Sequence, residues 1–178
     1  MTLDPEQLVG TTVGDYTVER LIGEGAFAWV FQGKRTDNGA AVALKVLRPR
    51  YAGDPQFEAR FRNEFDVAQV LTHPGIVRIL DVGRDDDTTY YAMDYYPESL
   101  GDRLERSGPL SEEETVDLAG SVAQALAFAH DAGVVHCDIK VDNILLAEDG
   151  RAVHPPNTLS KSFVNASTMM PKRITNPN

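Results

Sequence analysis

The sequence predicts an α+β fold, in which an antiparallel sheet with one inserted helix precedes a helical region. Two observations predict the sheet and its helix. Short segments rich in β-branched and aromatic residues recur between residues 16 and 93 and are separated by turn signals. Residues 55–71 interrupt them with apolar residues at helical spacing. A third observation, a helix start signal at Ser111, predicts the helical region.

The first three strands are predicted at residues 16–22, 28–32 and 41–47. A glycine-containing segment, residues 23–28, joins the first two strands. The second turn contains Asn38-Gly39, a pair that tolerates positive φ. Three strands joined by two short turns predict an antiparallel meander.

The inserted helix is predicted over residues 55–71, where Phe57, Phe61 and Phe65 recur every four residues. Its end is predicted at the His73-Pro74-Gly75 sequence, because proline and glycine interrupt helices. Two further strands are predicted at residues 76–82 and 88–93, with a solvated turn at residues 84–87 between them.

A long helix is predicted to begin at Ser111, because Glu114 three residues later completes a capping box. Gly133 is predicted to end it. The predicted apolar face consists of Val116, Ala119, Ala123, Leu126 and Ala127. Residues 148–150 predict a turn that leads into one more strand.

Composition narrows the class of protein. The 178 residues carry a net charge of −10, which argues against nucleic-acid binding. A single cysteine, Cys137, excludes an internal disulfide and fits a reducing compartment. The first ten residues lack the basic and apolar blocks of a signal peptide, and no apolar run approaches the ~20 residues of a membrane span. We therefore expect a cytoplasmic protein with no membrane segment.

The charge is distributed unevenly along the chain. All 27 acidic residues lie at or before Asp149, whereas the later residues contain four basic residues, no carboxylate and many Pro, Asn, Ser and Thr. This change in composition predicts a disordered tail over residues 154–178. Residues 1–15 are predicted to be an N-terminal extension.

A compact polar set follows the long helix. Asp138, Lys140 and Asn143 lie between two apolar runs. Phosphoryl transfer requires a carboxylate to accept a hydroxyl proton, a cation near the phosphoryl group and an oxygen ligand for Mg²⁺. A solvated loop between two short strands has the same composition, so the set alone leaves both interpretations open.

The spacing of these residues after His136, H-x-D-x-K-x-x-N, resembles the catalytic loop of eukaryotic-like protein kinases. The Lys at that position points to serine/threonine specificity. The resemblance implies that Asp138 is the proton acceptor, that Lys140 stabilises the phosphoryl group and that Asn143 is a Mg²⁺ ligand.

Residues 22–30 look like the kinase glycine-rich loop, with Ala28 where the third glycine usually stands. The resemblance implies that this segment binds ATP through Ile22, Gly23, Glu24, Gly25, Ala26, Phe27, Ala28, Trp29 and Val30. A Gly-x-Gly hairpin without a ligand is also common.

The segment that ends in Lys45 resembles the third-strand Lys motif, and Glu64 is its implied partner on the first helix. Read individually, each of these two residues is more commonly a solvated charge. Residues 92–97 look like the hinge between the two kinase lobes. The implied nucleotide contacts outside the glycine-rich loop are Ala43, Lys45, Glu64, Met93, Asp94, Tyr96 and Leu145.

The resemblance covers residues 16–153 and implies a kinase-like small lobe (16–96), with a five-stranded antiparallel sheet and one helix, followed by the beginning of the helical large lobe (97–153). Two departures stand out. Cys137 replaces the Arg that usually lies between His and Asp, which puts switching through a phosphorylated activation loop in doubt. The sequence His154-Pro155-Pro156-Asn157 appears where Asp-Phe-Gly is expected.

These departures leave three interpretations. The first is an ATP- and Mg²⁺-dependent protein serine/threonine kinase, cut short, that acts on Ser and Thr hydroxyls of protein substrates. The second is an inactive nucleotide-binding or interaction module with the kinase shape. The third is a gene remnant whose frame shifts after codon 153. The long helix, which has apolar residues on more than one side, also predicts self-association or a partner.

Overall fold

The computed structural model describes residues 4–136, 138–155 and 159–161. The helices in this part of the chain are α1 (Pro55–Ala68), α2 (Leu100–Ser107) and α3 (Glu112–Asp131). The strands are β1 (Thr12–Val13), β2 (Tyr16–Glu24), β3 (Ala28–Arg35), β4 (Ala41–Leu47), β5 (Ile79–Asp85), β6 (Thr88–Asp94), β7 (Val134–His136), β8 (Leu145–Leu146), β9 (Ala152–Val153) and β10 (Leu159–Lys161).

The first six strands form one antiparallel sheet in the order β1-β2-β3-β4-β6-β5. The predicted α+β class and the five-stranded sheet with one inserted helix are therefore confirmed. The short strand β1 is an addition, which the N-terminal extension supplies by pairing with β2. Leu8 and Val9 of the same extension pack against the outer face of the sheet.

The fifth strand begins later than the sequence predicts. Val77 N–H donates to the His154 carbonyl at 2.9 Å, so the chain at this point pairs with the segment after β9 rather than with β6. The predicted turn at residues 84–87 shrinks to Asp86 and Asp87, and Asp86 adopts a φ of 49°. The predicted strand at residues 76–82 is therefore displaced to Ile79–Asp85.

Helix α1 begins where the sequence predicts and ends three residues early. The Asp54 carboxylate accepts from Gln56 N–H at 2.9 Å and caps the N-terminus. Leu71 N–H donates to the Ala68 carbonyl at 3.1 Å, which tightens the chain after the helix and turns the buried Leu71 side chain into the core. Helix α2 was not predicted from the sequence, although Ser99 and Asp102 form a capping box at its start.

The predicted apolar face of α3 is wrong, because most of its residues face solvent and not the core. Val116 is 65% exposed, and Ala119, Ala123 and Ala127 are exposed as well. The buried residues of α3 are instead Ala125 and Ala129. Leu118 and Val122, on a neighbouring side, pack against the cluster around Leu100, Ile144 and Ala152. The buried face could not be recognised from the sequence, because alanines recur at helical spacing on both the exposed and the buried side of α3.

The start of α3 supports a prediction about stability. The Ser111 Oγ accepts from Glu114 N–H at 3.2 Å, and the Glu114 carboxylate accepts from Ser111 N–H at 2.7 Å. Ser111→Ala should lower the free energy of unfolding by about 1 kcal/mol. Ser121→Ala in the same helix is the control, and we expect it to stay within about 0.5 kcal/mol of the unmutated chain. Equal losses in urea denaturation would contradict a capping role.

The predicted tail begins too early. His154 and Pro155 are buried, and residues 159–161 pair with β7 in an antiparallel ladder. His154 is held in place by its N–H, which donates to the Gly75 carbonyl at 2.9 Å. The other residues of the predicted tail, and the predictions about Cys137, lie outside the described residues. No helix in the described part of the chain has the length and apolar character needed to cross a bilayer.

Candidate functional site

A cleft of about 750 Å³ lies between the sheet and the loop that follows β7. Its walls come from the β2–β3 hairpin, from β4, from α1 and from residues 138–143. Elements distant in sequence therefore converge on one cavity. The predicted site residues that line it are Gly23, Glu24, Gly25, Ala26, Phe27, Ala28, Val30, Lys45, Glu64, Asp138, Lys140 and Asn143.

The Lys45 ammonium forms an ion pair with the Glu64 carboxylate inside the cleft. Both side chains are largely buried, with 12% of Lys45 and 19% of Glu64 exposed. Burial lowers the pKa of Lys45, and the charge and hydrogen bond of Glu64 oppose that effect. Strand β4 and helix α1 thus hold one cation and one anion together, as the third-strand Lys motif implies.

Tyr91 is a third member of this group, and the sequence analysis missed it. Its hydroxyl donates to the same Glu64 oxygen that accepts from Lys45. The Tyr91 side chain is completely buried and lies directly opposite Lys45 in the ladder between β4 and β6. Alternation along β6 could have revealed it, because Tyr91 and Met93 are two residues apart and share a face of the sheet.

The β2–β3 hairpin covers the cleft. Gly25 N–H donates to the Ala28 carbonyl at 2.9 Å, which closes the turn. A Cβ on Gly25 would lie 3.2 Å from that carbonyl oxygen, whereas a Cβ on Gly23 would make only ordinary contact with Val30. Neither glycine has a positive φ. A side chain at Gly25 would therefore crowd the turn, and the lack of a Cβ at both positions leaves the backbone accessible to a phosphate that must approach closely.

The tip of the hairpin rests on α1. The Phe27 ring packs against Phe57 with ring centroids 5.1 Å apart and meets Tyr51 edge-on at 5.5 Å. Arg50 donates to the Ala26 carbonyl at 3.1 Å. These contacts fix the position of the hairpin over the cavity.

The polar set after β7 forms the opposite wall of the cleft. The Asn143 amide nitrogen donates to the Asp138 carboxylate at 2.8 Å and to the Asp138 carbonyl at 3.0 Å. The Lys140 ammonium lies 3.6 Å from the same carboxylate. Asp138 and Lys140 remain more than half exposed, so a substrate can reach both of them. The solvated-loop interpretation is weakened, because the three side chains contact one another at the mouth of a cavity.

The remaining predicted nucleotide contacts lie beside the cleft. Ile22, Tyr96 and Leu145 line an adjoining recess of about 550 Å³, and Asp142 borders both cavities. Ala43 and Met93 are buried in the cluster beneath the cleft.

Asp94 ends β6 at the predicted hinge. Its carboxylate lies 3.2 Å from Arg78, and its N–H donates to the Arg78 carbonyl. The Asp94 N–H is therefore already used within the fold.

Trp29 is not placed with the other predicted site residues. Ala28 and Val30 face the cleft, and alternation along β3 directs Trp29 to the opposite face of the sheet. There its ring meets Phe31 edge-on at 6.3 Å and lies beneath the Arg48 guanidinium. The implied contact between Trp29 and a nucleotide is therefore corrected.

Several cleft residues had no counterpart in the sequence analysis as site residues. They are Leu47, Phe57, Arg60, Phe61 and Asp142. Helical spacing could have indicated Arg60 and Phe61, because Glu64 follows them by four and three residues on the same side of α1.

The donor groups of the cleft fit a magnesium ion that is bound mainly through phosphate. Among the described residues, no group of three or more His, Cys, Asp or Glu side chains could hold a metal by itself. The cleft offers hard oxygen atoms from Asp138, Asp142 and Asn143. Because the amide nitrogen of Asn143 donates to Asp138, its Oδ1 is the atom available to a cation.

Residues 16–154 match the protein kinase domain family. The chain is 38% identical over 148 residues to the serine/threonine-protein kinase pkn3 of Myxococcus xanthus. The matched region covers 82% of this chain and 27% of that protein. It is 38% identical over 145 residues to PrkC of Bacillus subtilis, with 80% of this chain and 22% of that protein covered. It is 37% identical over 150 residues to PknA of Mycobacterium tuberculosis, and the match covers 80% of this chain and 35% of that protein.

Among solved structures, the chain is similar to the crystal structure of the M. tuberculosis PknI kinase domain. The TM-score is 0.67 and the sequence identity is 32%, with 85% of this chain and 61% of that chain covered. The chain thus spans about a fifth to a third of the curated relatives named here and less than two thirds of this kinase domain.

Proposed function

Since the chain belongs to the protein kinase domain family, with bacterial serine/threonine kinases among its relatives, we propose that its cleft binds ATP with Mg²⁺ and that residues 138–143 are the catalytic loop of a serine/threonine kinase. One observation carries the proposal. The Lys45–Glu64 pair and the Asp138–Asn143 pair face each other across a single cavity. A cation for phosphates and a carboxylate for a hydroxyl proton are thereby brought within one site.

In this proposal Lys45 binds the α and β phosphates, and the backbone of Gly23 and Gly25 allows them to approach. The oxygen of a substrate Ser or Thr forms a bond to the γ-phosphorus as the bond from that phosphorus to the bridging oxygen breaks. ADP leaves with the electron pair, and Asp138 accepts the hydroxyl proton. Lys140 stabilises the charge of the transferred group. When bound, a magnesium ion would neutralise phosphate charge, and Asn143 Oδ1 would be its ligand from this chain.

Asp138 is suited to accept that proton. Asn143 donates to one of its carboxylate oxygens and to its backbone carbonyl, which fixes the side chain without closing it to a substrate hydroxyl. In the sheet-facing wall, Ala28 and Val30 provide apolar surface beside the phosphate site. Ile22, Tyr96 and Leu145 surround the recess that we assign to the adenine and ribose.

A second candidate is a nucleotide-binding module that does not transfer phosphate. The observation that favours it is chemical, since no Asp or Glu follows Asp149 in these 178 residues. The carboxylate that the family places after β9 therefore has no counterpart there. Both candidates predict nucleotide binding, and only the first predicts transfer.

Isothermal titration calorimetry tests the shared part of both candidates. ATP should bind with about one nucleotide per chain in Mg²⁺ and should bind more weakly in EDTA, because the cleft residues alone leave the phosphate charge incompletely neutralised. Adenosine is the control and should show little dependence on Mg²⁺. If the chain binds neither ATP nor adenosine, in Mg²⁺ or in EDTA, the proposal is contradicted.

Three further expectations remain predictions. The family implies protein substrates that carry Ser or Thr hydroxyls. Self-association through the exposed α3 residues predicts an apparent mass that rises with concentration in light scattering, and a constant monomer mass would contradict it. We also propose a cytoplasmic location.

A further inference from the structure

Tyr91 occupies a position that the proposed reaction does not explain. It is fully buried on β6, a strand with neighbours on both sides in the sheet. Its hydroxyl donates to the Glu64 oxygen that also accepts from Lys45, and the Lys45 ammonium lies 5.7 Å from the centre of its ring. A phenylalanine would fill the same space and pack equally well. The hydroxyl therefore calls for a separate explanation.

In the part of the chain that the structure describes, the two donors to Glu64 both come from the sheet, whereas Glu64 itself lies on α1. An ionised carboxylate only accepts hydrogen bonds, so each donor ties the helix to the sheet. Phe61 adds an apolar contact one turn earlier, with its ring centroid 5.1 Å from that of Tyr91. Burial raises the pKa of the Tyr91 hydroxyl well above 10, which keeps it a donor at physiological pH.

We propose that Tyr91 is a positioning residue that holds Glu64, and through it Lys45, in the phosphate-binding arrangement before a nucleotide arrives. This inference rests on the proposed function, because Lys45 is taken as the phosphate contact. The neutral phenol supplies the second restraint on Glu64 and leaves the ammonium charge of Lys45 available to the phosphates. Without that restraint, the Glu64 carboxylate can rotate away from Lys45. Part of the free energy of nucleotide binding is then used to restore the ion pair, so the affinity for nucleotide falls.

Tyr90 offers a matched control on the same strand. It has the same side chain and is also buried, and it belongs to the cluster on the opposite face of the sheet with Tyr16 and Trp29. Its ring meets Tyr16 edge-on at 6.0 Å, far from the cleft wall. Tyr90→Phe and Tyr91→Phe thus remove the same atom from neighbouring residues and differ in whether Glu64 loses a donor.

The experiment measures MgATP affinity by calorimetry for the unmutated chain and both variants. Tyr91→Phe should weaken binding by about tenfold, equivalent to ~1.4 kcal/mol, and Tyr90→Phe should remain within about twofold. In a Glu64→Ala background, Tyr91→Phe should add no more than about a twofold loss, because its partner is already gone. Unchanged affinity in Tyr91→Phe, or an equal loss in the Glu64→Ala background, overturns the proposal.

The pH profile of binding separates positioning from a general loss of stability. Lys45 binds phosphate as a cation, so affinity declines as pH rises through its pKa, which burial has lowered. If Glu64 moves away in Tyr91→Phe, that pKa falls further and the decline shifts to lower pH. The charged or titratable groups around Lys45 are Glu24 at the end of β2, Arg60 and Glu64 on α1, Tyr91 on β6, and Asp138, Lys140 and Asp142 across the cleft. An unshifted profile in Tyr91→Phe contradicts the proposal.

Hydrogen exchange distinguishes failure of this inference from failure of the proposed function. If the unmutated chain binds no nucleotide, the proposed function fails, and exchange of the α1 amides still tests Tyr91. The inference predicts faster exchange across α1 in Tyr91→Phe than in Tyr90→Phe without any nucleotide. Equal exchange in the two variants would show that the hydroxyl does not tie α1 to the sheet.

Discussion

A polypeptide of these 178 residues should transfer phosphate to protein hydroxyls at least about 10²-fold more slowly than a kinase that works at roughly 1 s⁻¹. Positioning and charge neutralisation supply nearly all of the rate in phosphoryl transfer. Asn143 offers a metal only a neutral oxygen, and no carboxylate follows Asp149. Loss of one preorganised electrostatic group costs about 3–4 kcal/mol, which corresponds to the factor stated.

Incorporation of radiolabelled phosphate from ATP into a basic acceptor protein measures this rate. Asp138→Asn is the matched control, because it keeps the shape of the side chain and removes the proton acceptor. If the chain is a serine/threonine kinase, the unmutated chain should incorporate label slowly and Asp138→Asn only at the background rate. A module that does not transfer phosphate should give the same background rate in both polypeptides. A rate near 1 s⁻¹ in the unmutated chain, abolished in Asp138→Asn, would show that the catalytic loop operates without the missing carboxylate.

Replacement of Lys45 should have the second large effect, on binding rather than on transfer. Lys45→Ala removes a charge-assisted phosphate contact worth about 1.5–3 kcal/mol, so MgATP affinity should fall by roughly 10- to 150-fold. Among the described residues, it also leaves Glu64 with only the Tyr91 hydroxyl as a donor. The unpaired carboxylate then repels the phosphates, which acts in the same direction.

Lys34→Ala provides the comparison for Lys45→Ala. Lys34 lies on β3, is half exposed and pairs with Glu19 outside the cleft. It carries the same charge, so its removal corrects for the change in net charge of the protein. We expect its MgATP affinity to equal that of the unmutated chain in calorimetry. Equal losses in the two variants would remove Lys45 from the phosphate site.

The sheet could be predicted because its strands alternate in polarity and its turns carry local signals. The segment around Asn38 and the capping box at Ser111 fix element boundaries through nearby residues alone. The fifth strand was misplaced because Val77 pairs with His154, a partner 77 residues away that local patterns do not reveal. The start of this strand therefore depends on pairing between residues far apart in the sequence, which local signals cannot predict.

Site residues that belong to a recognisable sequence motif could be predicted. Residues whose place in the site depends on strand direction or on packing between distant elements could not. Lys45, Glu64 and Asp138 stand in a recognisable order, and the fold brings them to one cleft. Trp29 was assigned to the cleft because it lies within the glycine-rich segment, although strand alternation turns its side chain away. Tyr91 was missed for the converse reason, since only the packing of α1 on the sheet brings its hydroxyl to Glu64.

Covalent labelling with an acyl-phosphate derivative of ATP tests most directly the central claim that this cleft is a nucleotide site. An amine near the bound phosphates attacks the acyl group, and the lowered pKa of Lys45 favours its reactive neutral form. Mass spectrometry should find label on Lys45 that excess MgATP suppresses, whereas labelling of Lys34 should be weak and insensitive to MgATP. Label on Lys34 at equal or higher yield, or label on Lys45 that MgATP does not suppress, would contradict the account.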